Sequence, residues 1–272
     1  MQTAIKDKDF SIGILSIATN SYLGYWQSMV RSLLQEVGNI QSVHLYLFTD
    51  SVREAEVFVS QLNILQVTII EIPSYAWPEA TLYRYSIYSK YEELFKNDIL
   101  MHLDADMIIN SDFILRVKDL FANSGMALVS HPGFWRPNRP ISILRLYLTQ
   151  PKKLYSDIKM KVFMGGLGSW EVNILSSAYV PRINRLTYVC GGTWLGTRKE
   201  FIDLVKELED SVKNDELKGI VAIWHDESHL NKWASRNSYI RLTPEFCFDG
   251  SYPQLRGMTP LITAVDKTME PK

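Results

Sequence analysis

Two aspartates one residue apart, Asp104 and Asp106, close the apolar run Ile99-Leu100-Met101-His102-Leu103. If that run is a strand continuing through them, alternation puts both carboxylates on one face and turns Ala105 away. Like charges held so close repel, and a divalent cation between them removes the cost. The carboxyl end of a buried strand is also where open α/β sheets bind ligands. The plainer alternative is an acidic loop at a strand end. A second group, Cys190-Gly191-Gly192, opens a glycine-rich stretch through Gly196 that suits either close backbone approach to a ligand or a turn, and is too rich in glycine for an interior element. A third, Trp224-His225-Asp226-Glu227-Ser228-His229, carries two carboxylates and two histidines.

His225 and His229 stand at i, i+4 on one helix face, the spacing of the zinc-hydrolase H-E-x-x-H, but Asp226 holds the place of the general-base glutamate. A metal-dependent hydrolase is therefore the weakest reading of this stretch. Arg84 lies on a helix expected from Trp77-Pro78-Glu79 to about Phe95, where a solvated surface role is the ordinary one. His131 follows a strand, Met126 to Ser130, where a structural role is equally ordinary.

The elements that must hold these groups alternate. Strands are expected at Ser11–Ala18, Val43–Phe48 and Val67–Ile72, with helices after Thr19-Asn20-Ser21 and over Val52–Leu62, a short helix at Phe113–Phe121 and another at Arg198–Val212. Strands alternating with helices indicate a mostly parallel sheet with crossover helices. Neither G-x-G-x-x-G nor a Walker-type loop occurs, so a nucleotide would sit on the carboxyl edge without one. Between Trp135 and Gly168 the pattern loosens and turns basic: Arg136, Arg139, Arg145, Lys152, Lys153, Lys159 and Lys161 interleave with apolar residues. This is either a solvated surface helix or lid, or an arm that meets an acidic or membrane-borne partner.

At 272 residues and 46% hydrophobic content the chain can bury a large core, and a net charge of −1 gives no reason to expect nucleic acid or an anionic membrane as a general partner. Two cysteines, Cys190 and Cys247, make no disulfide framework. No signal-like leader or run of roughly 20 apolar residues occurs, which leads us to expect a cytoplasmic protein, at most peripheral to a membrane.

Taken together, the stretch 224–233 (WHDESHLNKW), Thr243-Pro244-Glu245-Phe246-Cys247-Phe248-Asp249, His131-Pro132-Gly133-Phe134, residues 177–181 (SAYVP), Leu47-Phe48-Thr49-Asp50 and the aspartate triplet resemble glycosyltransferase family six, the histo-blood-group A/B transferases and α1,3-galactosyltransferases, from Ile12 to Lys267. The resemblance implies a GT-A fold, an α/β Rossmann-like sheet in a single catalytic domain. Its nucleotide-binding half would span about residues 11–120. An acceptor-binding and catalytic half would span about 121–272, with a basic insertion near 136–166. It implies a retaining enzyme that takes UDP-GalNAc or UDP-Gal and Mn2+, with Mg2+ as the substitute. The family's membrane anchor is missing from this sequence, so the resemblance is to a soluble bacterial or viral type.

Carried over position by position, Ile17, Ala18, Thr19 and Tyr22 would bind uridine, and Arg84 would reach the diphosphate and donor sugar, with Tyr83 where some members have a second arginine. Asp104 and Asp106 would hold the metal, with Ala105 between them at the donor. Cys190, Gly191, Gly192 and Asp226 would meet the donor sugar, and Lys267 would fold over the diphosphate. Glu227 would be the catalytic carboxylate, either attacking the anomeric carbon or stabilising an oxocarbenium-like ion. His131, Ser169, Trp224, His225 and Asp249 would touch the acceptor, a β-galactoside glycan or glycolipid with or without fucose. Gly192 matches the A-type pattern and favours GalNAc over Gal. Against transfer stands a catalytically inactive carbohydrate-binding module, which would need neither the aspartate pair nor Glu227.

Overall fold

The computed structural model describes residues 11–265 except 39, 63–65, 76–77 and 122–124. The first half runs β1 (Ile12–Ile17), α1 (Tyr22–Glu36), β2 (Val43–Thr49), α2 (Val52–Ser60), β3 (Gln66–Glu71), α3 (Glu79–Leu82), α4 (Arg84–Lys90), β4 (Ile99–Leu103), β5 (Met107–Ile109) and α5 (Ile114–Leu120). The second half runs β6 (Met126–Ser130), α6 (Pro140–Thr149), α7 (Pro151–Met164), β7 (Val189–Thr197), α8 (Arg198–Glu216), α9 (His225–Ala234), β8 (Ile240–Leu242) and β9 (Ile262–Ala264).

Seven strands form one sheet in the order β3-β2-β1-β4-β7-β6-β8. The first four are mutually parallel, β7 runs antiparallel to both of its neighbours, and β8 is parallel to β6. The parallel strands are continuous apolar runs because both sheet faces are covered. On one face, Ile12, Ile14, Met101 and Leu103 pack with Leu23, Trp26, Met29 and Leu33 of α1. On the other, Leu15, Leu100 and Trp194 pack with Tyr85 and Tyr88 of α4 and with Phe201, Leu204 and Leu208 of α8.

Four sequence expectations change here. The aspartates do not continue a strand. Asp104, Ala105 and Asp106 form a turn after β4, and β5 then pairs with β9 in a separate antiparallel sheet. The helix expected up to Phe95 breaks at Tyr83 into α3 and α4. Its opening residue, Trp77, lies outside the described residues. The stretch from Cys190 to Gly196 is an interior element after all, lying within β7 at the middle of the sheet. Its glycines are there because neighbours crowd the backbone: a Cβ at Gly196 would stand 3.0 Å from the carbonyl oxygen of Gly125. The basic stretch is two regular helices, each opened by a proline, with Gly165 at φ +79° closing the second.

Asn231 ties α9 to the sheet as a backbone mimic. Its Oδ1 accepts from Val189 N–H at 2.8 Å, and its Nδ2 donates to Val189 O at 2.8 Å and Glu227 O at 2.9 Å. Asn231→Ala leaves the buried edge of Val189 unpaired and should lower unfolding stability by about 2–4 kcal/mol. Urea denaturation measures the loss, and a midpoint equal to the parent would contradict this role.

Candidate active site

The parallel strands end at a common edge, and their connecting loops line a cavity of about 300 Å3. Its walls include Ile17, Thr19 and Tyr22 after β1, Tyr75 after β3, Thr81 and Arg84 of α3–α4, and all three residues of the aspartate turn. Ala18 is not on the wall; it is fully buried in the core, with its N–H bonded to Phe48 O at 2.8 Å. Asp50 pins the floor, its carboxylate accepting from Asn20 N–H at 3.1 and 3.2 Å, so that loop residue is held at φ +54°.

A second cavity of about 550 Å3 shares Thr81, Arg84 and Asp104 with the first and extends to His131, Ser169, Gly191, Gly192 and residues 224–227. Arg84 is the hinge between the two. It is buried, not a surface cation: Nη1 donates to Gly191 O at 2.9 Å and pairs with Asp226 Oδ2 at 2.9 Å, and Nη2 pairs with Asp104 Oδ1 at 3.0 Å. Burial works against its charge, but Asp226 and Asp104 outweigh burial and raise its pKa.

Asp104 Oδ1 also accepts from His102 Nε2 at 3.1 Å, and His102 Nδ1 accepts from the Tyr88 hydroxyl at 2.8 Å. Burial pushes the His102 pKa down to about 4, so the ring is neutral and its proton sits on Nε2, facing the carboxylate. The sequence offered one clue to this brace, a histidine inside an apolar strand.

Glu227 and Asp226 occupy the first turn of α9, entered through His225 at φ +45°. Glu227 Oε2 accepts from Gly191 N–H at 2.8 Å, and the Tyr188 hydroxyl, which donates to Ser169 O at 3.2 Å, lies beside the same carboxylate. Burial nevertheless raises the Glu227 pKa to about 7, and Asp226 is raised to about 6 by burial despite Arg84. Tyr188 went unnoticed in the sequence because it lies just outside the glycine stretch. Tyr75 and Tyr252 were missed too; both line the cavities from irregular segments.

The remaining expected residues divide. Ser169, Trp224, His225 and His131 face the second cavity together with Glu227. His131 Nδ1 accepts from Gly133 N–H at 3.0 Å, and burial lowers its pKa to about 4. Asp249 is set back: it accepts from Ser251 N–H at 2.9 Å and reaches His131 through its charge. The Cys190 side chain is buried in the core, in the same cluster as Cys247. His229 turns away, buried, with Nδ1 2.8 Å from Ser211 Oγ, so it shares no site with His225. Lys267 lies outside the described residues.

Two hard carboxylates on the wall of a cavity fit Mn2+ or Mg2+, ions that bind through one or two protein carboxylates and complete their shell with phosphate and water oxygens. Among the described residues, no three His, Cys, Asp or Glu side chains gather into an all-protein cage.

A mostly parallel sheet extended by an antiparallel, glycine-rich strand, with an acidic turn at its carboxyl edge, is the architecture of a GT-A-type glycosyltransferase fold. A family model, Glycosyltransferase family 6, matches residues 159–270. Histo-blood group ABO system transferase 1 of Rattus norvegicus is 25% identical over 254 residues, 90% of this chain and 62% of the relative. Globoside alpha-1,3-N-acetylgalactosaminyltransferase 1 of Gallus gallus is 21% identical over 93% of the chain and 66% of the relative. O-antigen biosynthesis glycosyltransferase WbnI of Escherichia coli is 24% identical over 89% of both. The match over residues 159–270 and these relatives support glycosyltransferase family 6 as the family this chain resembles. The chain spans 62% and 64% of the length of the two rat ABO-type relatives it matches.

A Cβ built on Gly192 would stand 2.8 Å from Asp104 Oδ2 and 2.9 Å from Met107 Cε. Because Oδ1 of the same carboxylate is held by Arg84 and His102, Oδ2 cannot yield without loosening both bonds. Gly192→Ala should therefore displace the Asp104 carboxylate and weaken the binding of a divalent cation at the aspartate turn by about tenfold or more. A metal titration of the variant checks this, and an unchanged midpoint would contradict it.

Proposed function

We propose that this chain is a retaining hexosyltransferase that moves GalNAc, in preference to Gal, from its UDP ester to the 3-position of a β-galactoside in α linkage. The observation that carries the reading is the Arg84 clip. One buried guanidinium joins Asp104, on the wall of the sheet-edge cavity, to Asp226, next to Glu227 on the wall of the second. A donor spanning the join would have its nucleotide in the first cavity and its sugar at Gly191, Gly192 and Asp226, and an acceptor would enter over His131, Ser169, Trp224 and His225. The two halves expected around residue 120 correspond, on this reading, to the two cavities.

Ile17, Thr19 and Tyr22 supply the surface for uridine, with Tyr75 across the cavity. Asp104 and Asp106 would hold the Mn2+, which when bound withdraws charge from the leaving diphosphate. Arg84 keeps Asp104 and Asp226 in register as negative charge moves to the diphosphate. Glu227 answers the positive charge growing on the anomeric carbon, by attack or by electrostatic stabilisation. Its Gly191 N–H partner fixes one oxygen in place. Neutral His131 is a donor at Nε2 for an acceptor hydroxyl. The preference for GalNAc rests on Gly192, which adds no side chain to the cavity it lines; such a preference amounts to about 1–3 kcal/mol. Basic residues of the 136–166 insertion are suited to peripheral contact with a membrane carrying the acceptor.

A UDP-release assay crossing UDP-GalNAc and UDP-Gal with plain and fucosylated β-galactosides, with and without Mn2+, tests the proposal. Release should need Mn2+ and acceptor together, favour UDP-GalNAc in kcat/KM, and fall at least about a hundredfold in Asp104→Asn/Asp106→Asn and in Glu227→Gln. Because the Glu227 pKa is raised to about 7 and the ionised form is the one that stabilises cationic charge, kcat/KM should climb with pH to a plateau above 7. Glycan binding without UDP release would favour the inactive module. Loss of turnover on zinc chelation alone would favour the hydrolase.

A further inference from the structure

The insertion is a helical hairpin whose apolar residues face outward. Ile141, Leu144 and Leu148 recur at i, i+3, i+7 on α6, and Tyr155, Ile158 and Val162 do the same on α7; all six are exposed. Leu148 is 74% and Phe163 68% accessible. On α7, Lys159 and Lys161 flank that stripe on opposite sides by the helical period. Between residues 136 and 166 seven side chains are basic and one is acidic. That one, Asp157, is buried and taken up by Arg136 at 2.5 Å with Lys153 nearby, which leaves Arg139, Arg145, Lys152, Lys159 and Lys161 as the exposed charge.

The apolar surface continues past the hairpin. Arg182 Nη2 donates to Val162 O at 2.5 Å and Arg185 Nη1 to Met164 O at 2.6 Å, which ties the loop bearing Ile183 and Leu186, 86% and 84% exposed, to the end of α7. Arg185 Nη2 reaches Glu171 O at 3.4 Å, and Glu171 Oε2 accepts from Ile223 N–H at 2.8 Å. The belt therefore ends at Ile223 and Trp224, both exposed, and Trp224 lines the second cavity. Patches this broad on a folded surface mark an interaction site.

We propose that this face rests on an anionic bilayer and that the acceptor is a glycan carried by a lipid in that bilayer, reaching the second cavity past Trp224. The acceptor half of the inference rests on the reading of that cavity given above; the membrane half does not. Charge selects the partner. A second copy of the chain would bring the same unbalanced cations against themselves, whereas acidic headgroups complement them. The apolar side chains are spread over two helices and a loop belt, which fits a fluid interface that takes Leu, Tyr, Phe and Trp to shallow depth. Among the described residues no helix is long and apolar enough to cross a membrane, so the contact is with the surface.

Sedimentation with phosphatidylcholine vesicles, with and without phosphatidylglycerol, tests the membrane half. The chain should bind the anionic vesicles at least about tenfold more tightly. Leu148→Glu/Ile158→Glu and Lys152→Glu/Lys159→Glu should each abolish that difference while keeping the parent's thermal midpoint and its turnover on a soluble galactoside. A galactoside anchored in the anionic vesicles should be used with higher kcat/KM than the soluble one by the parent and not by the variants. Equal binding to both vesicle types, retained binding in both variants, or a dimer dissolved by the same substitutions would overturn the inference. Failure to use any galactoside would instead count against the transferase reading and leave the vesicle result standing.

Discussion

A guanidinium buried beside two carboxylates constrains this molecule more than any other contact. Removed from water without partners, Arg84 would be prohibitively costly, so the fold must deliver Asp104, Asp226 and the Gly191 carbonyl to it together. These groups come from the turn after β4, the start of α9 and the beginning of β7. The charge requirement thus locks three distant segments into one arrangement and brings the two cavities into contact along it.

Other features follow from that junction. Strand β7 must pass close beneath Asp104 and Glu227, so side chains are absent at Gly191 and Gly192. Helix α9 must present Asp226 and Glu227 from its first turn, which the positive φ of His225 and the Asn231 bridge achieve. Gathering carboxylates in a buried place has a thermodynamic consequence. A Glu227 pKa raised above its unfolded value means that ionisation opposes folding: this group's contribution is most favourable at low pH and is lost as pH rises from about 4.5 to about 7. The site therefore holds the Glu227 carboxylate at some expense to stability, a pattern expected where function sets the environment.

Much of the frame was legible in the sequence, because parallel strands buried on both faces are written as unbroken apolar runs. The positions β1, β2, β4 and β6 needed no further information. The turn at Asp104 was not legible, since Met107-Ile108-Ile109 continues the apolar pattern into a different sheet. Strand β7 was hidden by the glycines that its neighbours impose. The depth of Arg84 could not be read from its helix, because its counter-charges lie far along the chain. The hairpin of α6 and α7 looked irregular because its stripes face outward and so carry no core signal. Within the candidate site, the resemblance to family six led to Asp104, Asp106, Asp226 and Glu227, while Cys190, Ala18 and Asp249 are drawn back from the walls and His102 and Tyr188 come forward.

The central claim is that Arg84 and Asp226 serve the chemistry as well as the fold. Stability and kcat/KM measured together for Arg84→Met, Asp226→Leu and the double variant separate these roles. Arg84→Met strands the buried Asp226, Asp226→Leu leaves the buried Arg84 with Asp104 as its remaining counter-charge, and the double variant removes both members of the pair. Stability should therefore recover toward the parent's in the double variant, while kcat/KM stays about a hundredfold or more below it. A double variant that folds well and turns over within a few-fold of the parent would contradict the claim.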